Sequence, residues 1–261
     1  MTSIDNTQSV LTTVQDNILT LQFNRPERKN AFTAAMYKVL AEAIELGEQN
    51  ADVRVMLLTG IENCFTSGND VTDFRENPPT DENSPGFRFL AALAQAKKPI
   101  LAAVSGPAIG VGMTLLLHCD LVYASTSAIF QLPFSRLGLC PEAGSSLLLP
   151  LRIGYSRAAE LMLLGEPFSA ERAWALGLVN GVYDASTLVE EALQKARQIA
   201  AQPCASVLLT KALMKQANAE ALRAVMAVEN LHFIERLQSP EAAEAFRAFL
   251  EHRQPDFSRF Q

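Results

Sequence analysis

Two glycine-containing turns carry the residues of this sequence that are best placed to do chemistry. One covers residues 65–70 (FTSGND) and the other covers residues 106–112 (GPAIGVG), and each lies between a predicted strand and a predicted helix. A helix that begins in such a turn leaves backbone N–H groups unpaired, and these groups can hold an anion or a developing oxyanion. Two such turns side by side would supply a pair of hydrogen-bond donors. The alternative is that the glycines serve only to form tight turns and bind nothing.

Several other catalytic and binding patterns do not occur. The second turn lacks the G-x-G-x-x-G order, and no G-x-x-x-x-G-K-[ST] or G-x-S-x-G segment is found, which disfavours phosphate binding by these motifs and serine catalysis. The histidines and cysteines lack metal-ligand spacing, so we predict no metal site. His118 lies in an apolar segment and is predicted to be a packed core residue. The serines disfavoured as nucleophiles are Ser67, Ser105, Ser145 and Ser146, and the histidines disfavoured as metal ligands are His118, His232 and His252.

Strands and helices alternate around the two turns. Alternating residues predict a β-hairpin near the start of the chain, and short apolar runs rich in branched residues then suit strands buried on both faces. Apolar residues at helical spacing separate these runs, so the pattern predicts an α/β core. The predicted strands are 10–15, 18–23, 53–59, 100–104 and 121–124, with a helix of about four turns that includes 36–44 and further helices at 86–96 and 110–118.

From residue 152 onward the sequence is predominantly helical. Ala, Leu, Glu and Arg dominate, and the last helices have no predicted sheet to cover, so we expect part of their apolar surface to form a subunit interface. Residues 77–85 (NPPTDENSP) are predicted to form a surface loop whose position could also let it act as a lid. The predicted tail elements are helices at 156–164, 170–175, 186–201, 205–216, 220–237 and 240–251, with one strand near 178–182.

Composition narrows the class of protein. The chain has 261 residues, is 49% hydrophobic and carries a formal charge of −6, which is typical of a soluble globular protein and argues against nucleic-acid binding. The first residues (MTSIDNTQSV) lack the features of a secretory signal, and no run of about 18 apolar residues occurs. We therefore expect a cytoplasmic protein with reduced cysteines and no membrane partner.

Four segments of the sequence, in this order and spacing, match the motifs of a known family. They are residues 65–74 (FTSGNDVTDF), 106–110 (GPAIG), 119–125 (CDLVYAS) and 133–138 (PFSRLG). Together they resemble the enoyl-CoA hydratase/isomerase, or crotonase, superfamily. The resemblance extends from the opening hairpin through the 25–31 loop to the C-terminal helices, so it covers essentially the whole chain.

The resemblance implies a fold, an assembly and a substrate class. The fold would be α/β, a ClpP/crotonase-like spiral of ββα units over residues 1–200, followed by a helical region at 201–261 that mediates oligomerisation and closes the site. The implied assembly is a homotrimer or a dimer of trimers. The substrate would be an acyl-CoA thioester, and no cofactor is implied beyond the coenzyme A that the substrate carries.

The resemblance also assigns site residues. The thioester oxygen would be held in an oxyanion hole by the backbone N–H groups of Asn69 and Val111. We expect Asp70 to hydrogen-bond the backbone of its own turn, while Arg25, Arg28 and Lys29 either face the CoA phosphates or are solvated. The implied substrate-binding residues are Ser67, Gly68, Asn69, Asp70, Val71, Gly110, Val111, Phe134, Leu137, Arg25 and Ala31.

A carboxylate at Glu142 distinguishes the possible reactions. Hydratases of this family use two glutamates that match Thr114 and Phe134 here, which argues against hydration. The sequence looks most like the peroxisomal type of Δ3,Δ2-enoyl-CoA isomerase and its bacterial relatives, in which the matching glutamate is the catalytic base. One base could remove a proton from C2 and return one to C4, and apolar neighbours would raise its pKa. The likeness suggests a role in fatty-acid β-oxidation.

Other readings of the sequence stay open. Without the resemblance, Glu142 could be an acidic residue in the first turn of a helix. A slow hydratase that uses Thr114 or bound water, a dienoyl-CoA isomerase, and a non-catalytic acyl-CoA-binding or RNA-binding relative are the alternatives. Glu142 and the charge of −6 argue against the non-catalytic and RNA-binding readings.

Overall fold

The computed structural model describes residues 9–61 and 63–260, and their strands form two sheets. The larger sheet has six strands in the order β1-β2-β3-β4-β6-β9, parallel except for the β1–β2 hairpin. The smaller sheet is β5-β7-β8. The strands are β1 Val10–Gln15, β2 Ile18–Phe23, β3 Val55–Thr59, β4 Ile100–Val104, β5 Pro107–Ile109, β6 Leu121–Ser125, β7 Ile129–Gln131, β8 Phe168–Ser169 and β9 Gly181–Tyr183.

Eleven α-helices accompany these strands in the described ranges. Their bounds are α1 Ala34–Gln49, α2 Val71–Glu76, α3 Pro85–Gln95, α4 Val111–Thr114, α5 Ser145–Ile153, α6 Tyr155–Leu164, α7 Ala170–Ala175, α8 Leu188–Ala200, α9 Cys204–Gln216, α10 Ala219–Leu237 and α11 Pro240–Leu250. No helix in this part of the chain is both long and apolar enough to cross a membrane.

Helices cover both faces of the larger sheet, which explains its continuous apolar strands. Every residue of β3 and β4 is buried. On one face, α1 and α3 contribute to the main core cluster. On the other face, α8 packs Leu188, Ala192 and Ala196 against side chains that include Leu57 and Leu101. Strands buried on both faces lose the alternation that marks a half-exposed strand, so their apolar runs are the pattern expected of a parallel sheet.

The predicted α/β class and the opening hairpin are confirmed, whereas several short elements differ from the prediction. The predicted helix at 110–118 is the four-residue α4 followed by a 3-10 helix at Leu115–His118. The strand predicted near 178–182 lies at Gly181–Tyr183. The smaller sheet was not predicted because strands of two or three residues are too short to establish a period.

A buried lysine fastens the C-terminal helices to the core. Lys211 on α9 donates hydrogen bonds of 2.7 Å from Nζ to the Lys98 carbonyl and to Asp120 Oδ2. Asp120 Oδ2 also accepts from the Ile100 N–H at the start of β4. The outward faces of the tail helices remain apolar, and Leu209, Leu213, Met214 and Leu231 are more than half exposed. The subunit interface that the sequence suggests on these helices stays a prediction.

Removing the buried cation should destabilise the fold. We expect Lys211→Met to lower the free energy of unfolding by about 3 kcal/mol, because Asp120 would be left without its charged partner. Urea denaturation followed by circular dichroism measures the change. Lys38→Met, at an exposed position on α1, is the control and should change stability by less than about 0.5 kcal/mol. An equally small effect of Lys211→Met would contradict the anchoring role.

Candidate active site

The two glycine turns lie against each other at the ends of β3 and β4. The Thr66 N–H donates to the Pro107 carbonyl at 2.9 Å, and the Ile109 N–H donates to the Thr66 carbonyl at 3.2 Å. Gly68 has a φ of +94°, and a Cβ placed there would lie 2.8 Å from the Ile109 carbonyl oxygen. Only glycine accommodates both the backbone angle and this close approach. The turns therefore form one unit, as their separate patterns suggested.

The backbone around Asn69 directs its N–H group away from the neighbouring segment. The Phe32 N–H donates to the Gly68 carbonyl, and the Asp70 N–H donates to the Phe32 carbonyl, both at 2.8 Å. In a parallel bridge of this kind, the residues that flank Asn69 make the bonds, so its own N–H points to the opposite side. Val111 begins α4, where backbone N–H groups lack partners within the helix.

Asp70 and Arg25 stabilise the first turn. Asp70 Oδ1 accepts from the backbone N–H groups of Thr72 and Asp73 and caps α2, as the sequence predicted. Its Oδ2 lies 2.7 Å from Arg25 Nη1, which also donates to the Ala31 carbonyl. Burial opposes ionisation of Asp70, but its hydrogen bonds with Arg25 and the α2 backbone outweigh burial and lower its pKa. The Arg25 guanidinium is thus engaged within the protein.

Glu142 is a buried carboxyl group in the loop before α5. The residue is 4% exposed, and within the described part of the chain its Oε1 atom has no hydrogen-bond partner. Burial, and secondarily the negative charge of Glu229, raise the pKa of Glu142 to about 8, while a hydrogen bond with Thr114 lowers it. Glu142 is therefore a far stronger base than an ordinary glutamate.

Glu142 and Asn69 line the same small cavity. The cavity has a volume of about 50 Å³, and its wall also contains Tyr37 and Asp73. The Tyr37 hydroxyl donates to Asn69 Oδ1 at 2.5 Å. Burial raises the pKa of Tyr37 well above its usual value, and the charge of Glu142 adds to this effect. Tyr37 thus fixes the Asn69 side chain at the wall that Glu142 also borders.

Aromatic side chains and the predicted surface loop complete the cavity wall. The aromatic members are Phe32, Tyr37, Phe74, Phe87 and Phe233, and the loop contributes Asn77, Pro78, Pro79 and Ser84. Phe233 on α10 makes edge contacts with Phe74 and Phe87. Helix α10 therefore contributes the Phe233 ring to the cavity wall.

The remaining predicted site residues do not line this cavity. The turn residues Ser67, Gly68, Asp70, Val71, Gly110 and Val111 belong to the paired turns, and Arg25 and Ala31 belong to the loop that contacts the first turn. Phe134 is buried in the main core, and Leu137 lies in the short 3-10 helix that follows it. Of the residues predicted for the site, Glu142 and Asn69 are the ones that line the cavity.

Sequence reasoning did not identify Tyr37, Asp73 or Phe233 as cavity residues. Tyr37 and Phe233 occur at apolar positions of helices, where a core role explains them equally well. Asp73 is an acidic residue in the first turn of α2, which is a common capping position. A side chain with a polar group on an otherwise apolar helix face can indicate a site residue. Of these three residues, Tyr37 alone shows that pattern.

Comparisons with known proteins identify relatives of this chain. A model of the enoyl-CoA hydratase/isomerase family matches residues 13–259. The chain is 37% identical to 1,2-epoxyphenylacetyl-CoA isomerase from Escherichia coli over 95% of this chain and 98% of that protein. It is 34% identical to enoyl-CoA delta isomerase 2 from Rattus norvegicus over 93% of this chain, but it spans only 63% of that protein.

A solved structure shares the fold closely. The enoyl-CoA hydratase/isomerase from Pseudoalteromonas atlantica superposes with a TM-score of 0.91 at 43% identity, covering 96% of this chain and 100% of that one. The α/β crotonase-like fold predicted from the sequence is confirmed.

Because the pKa of Glu142 is raised, replacing this residue should stabilise the folded protein at high pH. Its pKa is about 8 in the folded chain against an ordinary 4.5, so the folded state holds a proton that the unfolded state loses between these values. Stability therefore falls as pH rises through this range. Glu142→Gln, which resembles the protonated form, should raise the free energy of unfolding at pH 9 by more than about 1 kcal/mol and have little effect at pH 4.

Thermal unfolding at both pH values measures this gain. Glu220→Gln, at an exposed position on α10, is the matched control and should change stability by less than about 0.5 kcal/mol at either pH. A loss of stability in Glu142→Gln at pH 9 would show that the buried carboxylate is not strained in the folded chain.

Proposed function

Because the chain belongs to the enoyl-CoA hydratase/isomerase, or crotonase, family, we propose that it is a Δ3,Δ2-enoyl-CoA isomerase. The observation that carries this proposal is the buried Glu142 carboxyl group, whose Oε1 lacks a hydrogen-bond partner among the described residues and which borders the Asn69 cavity. An unsatisfied buried polar atom of this kind is costly for folding, so its presence favours a functional role.

Glu142 would act as the single acid and base. Its carboxylate would take a proton from C2 of the 3-enoyl thioester, and the electron pair would move onto the thioester oxygen to form an enolate. The resulting carboxylic acid would then return the proton to C4, which leaves the double bond at C2–C3. Proton and electrons balance, and Glu142 ends in the state in which it began. Burial supports both steps, because it keeps the pKa of Glu142 far above that of a solvated glutamate.

The paired turns would stabilise the enolate. The backbone N–H groups of Asn69 and Val111 would donate to the thioester oxygen as negative charge develops there. Each such donor is worth roughly 3 kcal/mol in the transition state because it is already oriented. The contact between the turns supports this role, since it holds both segments fixed relative to each other.

Hydration is the weaker candidate reaction. Adding water across a double bond is most simply done by two carboxyl groups that hold one water molecule. The positions that match the hydratase glutamates are Thr114 and Phe134, both buried. Asp73 also borders the cavity, but its Oδ2 accepts from the Ala34 N–H and its Oδ1 accepts from the Asn77 amide. Glu142 is therefore the better placed base.

The aromatic cavity wall favours a second candidate substrate class. The E. coli relative is named for a phenylacetyl-CoA derivative, and Phe74, Phe87 and Phe233 offer ring surfaces to an acyl group. An aryl or cyclic acyl-CoA in which a double bond must be moved is therefore the alternative to an aliphatic chain. Parallel assays with aliphatic and cyclic 3-enoyl thioesters would distinguish the two by their kcat/KM values.

The other expectations extend this proposal. Coenzyme A would pass along Ser67–Val71 and Gly110, with the 25–31 loop nearer its nucleotide. Phe134 and Leu137 remain expected substrate-binding residues. A homotrimer or dimer of trimers, a cytoplasmic location and a place in fatty-acid β-oxidation remain part of the proposal. Light scattering after gel filtration tests the assembly.

Loss of the carboxylate should abolish isomerisation. We expect the wild-type protein to raise the ultraviolet absorbance of a trans-3-enoyl-CoA solution as the conjugated thioester forms, and Glu142→Gln to lose at least about a thousandfold in kcat while still binding acyl-CoA. Glu220→Gln should match the wild type. A fall of absorbance with a trans-2-enoyl-CoA would indicate hydration, and turnover retained in Glu142→Gln would remove this residue from the mechanism.

The pH dependence should follow the ionisation of Glu142. The carboxylate is the active form of the free enzyme, and its pKa is about 8. The value of kcat/KM should therefore rise with pH and reach half its plateau near pH 8. Initial rates between pH 5 and pH 10 measure this profile. A plateau already reached at pH 6 would mean that another group limits the reaction.

A further inference from the structure

A second buried carboxylate holds the loop that carries Glu142. Glu229 on α10 is 6% exposed. Its Oε2 accepts from the Gly144 N–H at 2.5 Å, and its Oε1 accepts from the Ser146 N–H at 2.9 Å and from the Ser146 hydroxyl at 2.5 Å. These donors belong to the first turn of α5, where a negative charge is favoured. Glu229 is thus a cap supplied by a helix distant in sequence.

Hydrogen bonds rather than a cation balance the charge of Glu229. Among the residues that the structure describes, no lysine, arginine or histidine forms an ion pair with it. The nearby Arg236 instead donates to the Gly138 carbonyl and pairs with Glu241. A carboxylate that is stabilised only by neutral donors produces a stronger electrostatic field than one that is paired with a cation. Its negative charge therefore raises the pKa of a neighbouring acid.

The loop between the two carboxyl groups is held tightly from both sides. Ala143 has a φ of +62° and Gly144 a φ of +68°, so two consecutive residues lie in the left-handed region. His118 Nε2 donates to the Ala143 carbonyl at 2.7 Å. Because a carbonyl only accepts, the ring proton lies on Nε2, and burial lowers the pKa of His118 to about 3, so the ring is neutral. The left-handed backbone is thus clamped between His118 and Glu229.

We propose that Glu229 is a positioning residue for the base Glu142: it fastens the base's loop to α10 and keeps a fixed negative charge close to the base. This inference rests on the proposed function in which Glu142 takes the substrate proton. It assigns to the C-terminal helical region a part in setting the strength of the base, in addition to lining part of the cavity.

The two carboxyl groups differ in how their charged forms are supported. Glu229 has three donors, whereas Glu142 has the Thr114 hydroxyl and an unpartnered Oε1. Burial raises the pKa of both groups, and the three donors offset part of this effect for Glu229. Glu229 therefore ionises first, and Glu142 must then ionise beside an existing charge. The pair titrates in two steps, of which the second belongs mainly to the base.

Other ionisable groups around the pair do not replace this interaction. Tyr37 on α1 and Cys140 in the same loop face Glu142, and burial raises the pKa of each, so both are neutral at physiological pH. His118 behind the loop is neutral as well. Asp73 borders the same cavity as Glu142, but Glu229 is the group whose negative charge raises the pKa of Glu142. Removing that charge should therefore be visible in the titration of the base.

Glu229→Gln tests the proposal, with Ser146→Ala as the matched control. The first variant removes the charge and preserves size, while the second removes one hydrogen bond to Glu229 and keeps the charge. Protein labelled with ¹³C at glutamate carboxyl groups reports the titration of Glu142 by NMR, and Glu142→Gln assigns its signal. We expect the Glu142 midpoint to fall by at least about one pH unit in Glu229→Gln and by less than half a unit in Ser146→Ala.

A measurement on the wild-type fold keeps the test decisive if Glu229→Gln does not fold. The Glu229 carboxyl signal should show a second, smaller inflection at the Glu142 midpoint, and this inflection should vanish in Glu142→Gln. An unmoved Glu142 midpoint in folded Glu229→Gln, or the absence of the second inflection, would overturn the proposal.

Isomerase kinetics separate this proposal from the proposed function. In an active enzyme the midpoint of kcat/KM should move to lower pH in Glu229→Gln together with the NMR midpoint, and the plateau of kcat should fall because the base is weaker. A lower plateau with an unmoved midpoint would indicate only a structural role and would overturn the proposal. An NMR midpoint that moves in a protein without isomerase activity would support the coupling and refute the proposed function.

Discussion

The burial of one carboxyl group away from water is the constraint on which the rest of the site depends. Glu142 has a polar atom without a partner among the described residues and a pKa near 8. A folded chain tolerates such a group only when its surroundings are fixed strongly enough to prevent the loop from opening and hydrating it. The clamp formed by His118 and Glu229 meets this requirement, and aromatic side chains line the cavity that Glu142 borders. Packing elsewhere in the molecule thus sustains an unfavourable local arrangement.

The paired glycine turns are held in place by close contacts between backbone atoms rather than by particular side chains. Gly68 lies so near the Ile109 carbonyl that a larger residue would separate the turns. Backbone donors held in this way need no side chain of a particular type, and their placement depends on the register of β3 and β4. The sheet therefore sets the geometry of the turns, while α5 and α10 set the environment of the carboxyl group. These two parts of the chain meet at the cavity.

Features that depend on neighbouring residues in the sequence could be predicted, whereas contacts between distant residues could not. Strands β3 and β4 were predictable because burial on both faces leaves a continuous apolar run, and Asp70 was predictable because capping is a local interaction. The importance of Glu142 came from resemblance, since a glutamate before a helix is also an ordinary feature. Glu229 could not be found in the same way. It lies 85 residues beyond the Gly144 N–H that it binds, and a glutamate within a helix gives no local sign of a distant partner.

The position of α10 late in the chain has a consequence for the order in which the protein is made. Strands β1 to β6 and both glycine turns precede it, so a chain still emerging from the ribosome can form much of its sheet before Glu229 and Phe233 have been synthesised. At that stage the Glu142 loop lacks its cap and the cavity lacks one aromatic wall. The cap on the Glu142 loop and the Phe233 part of the cavity wall can therefore form only after α10 has been made.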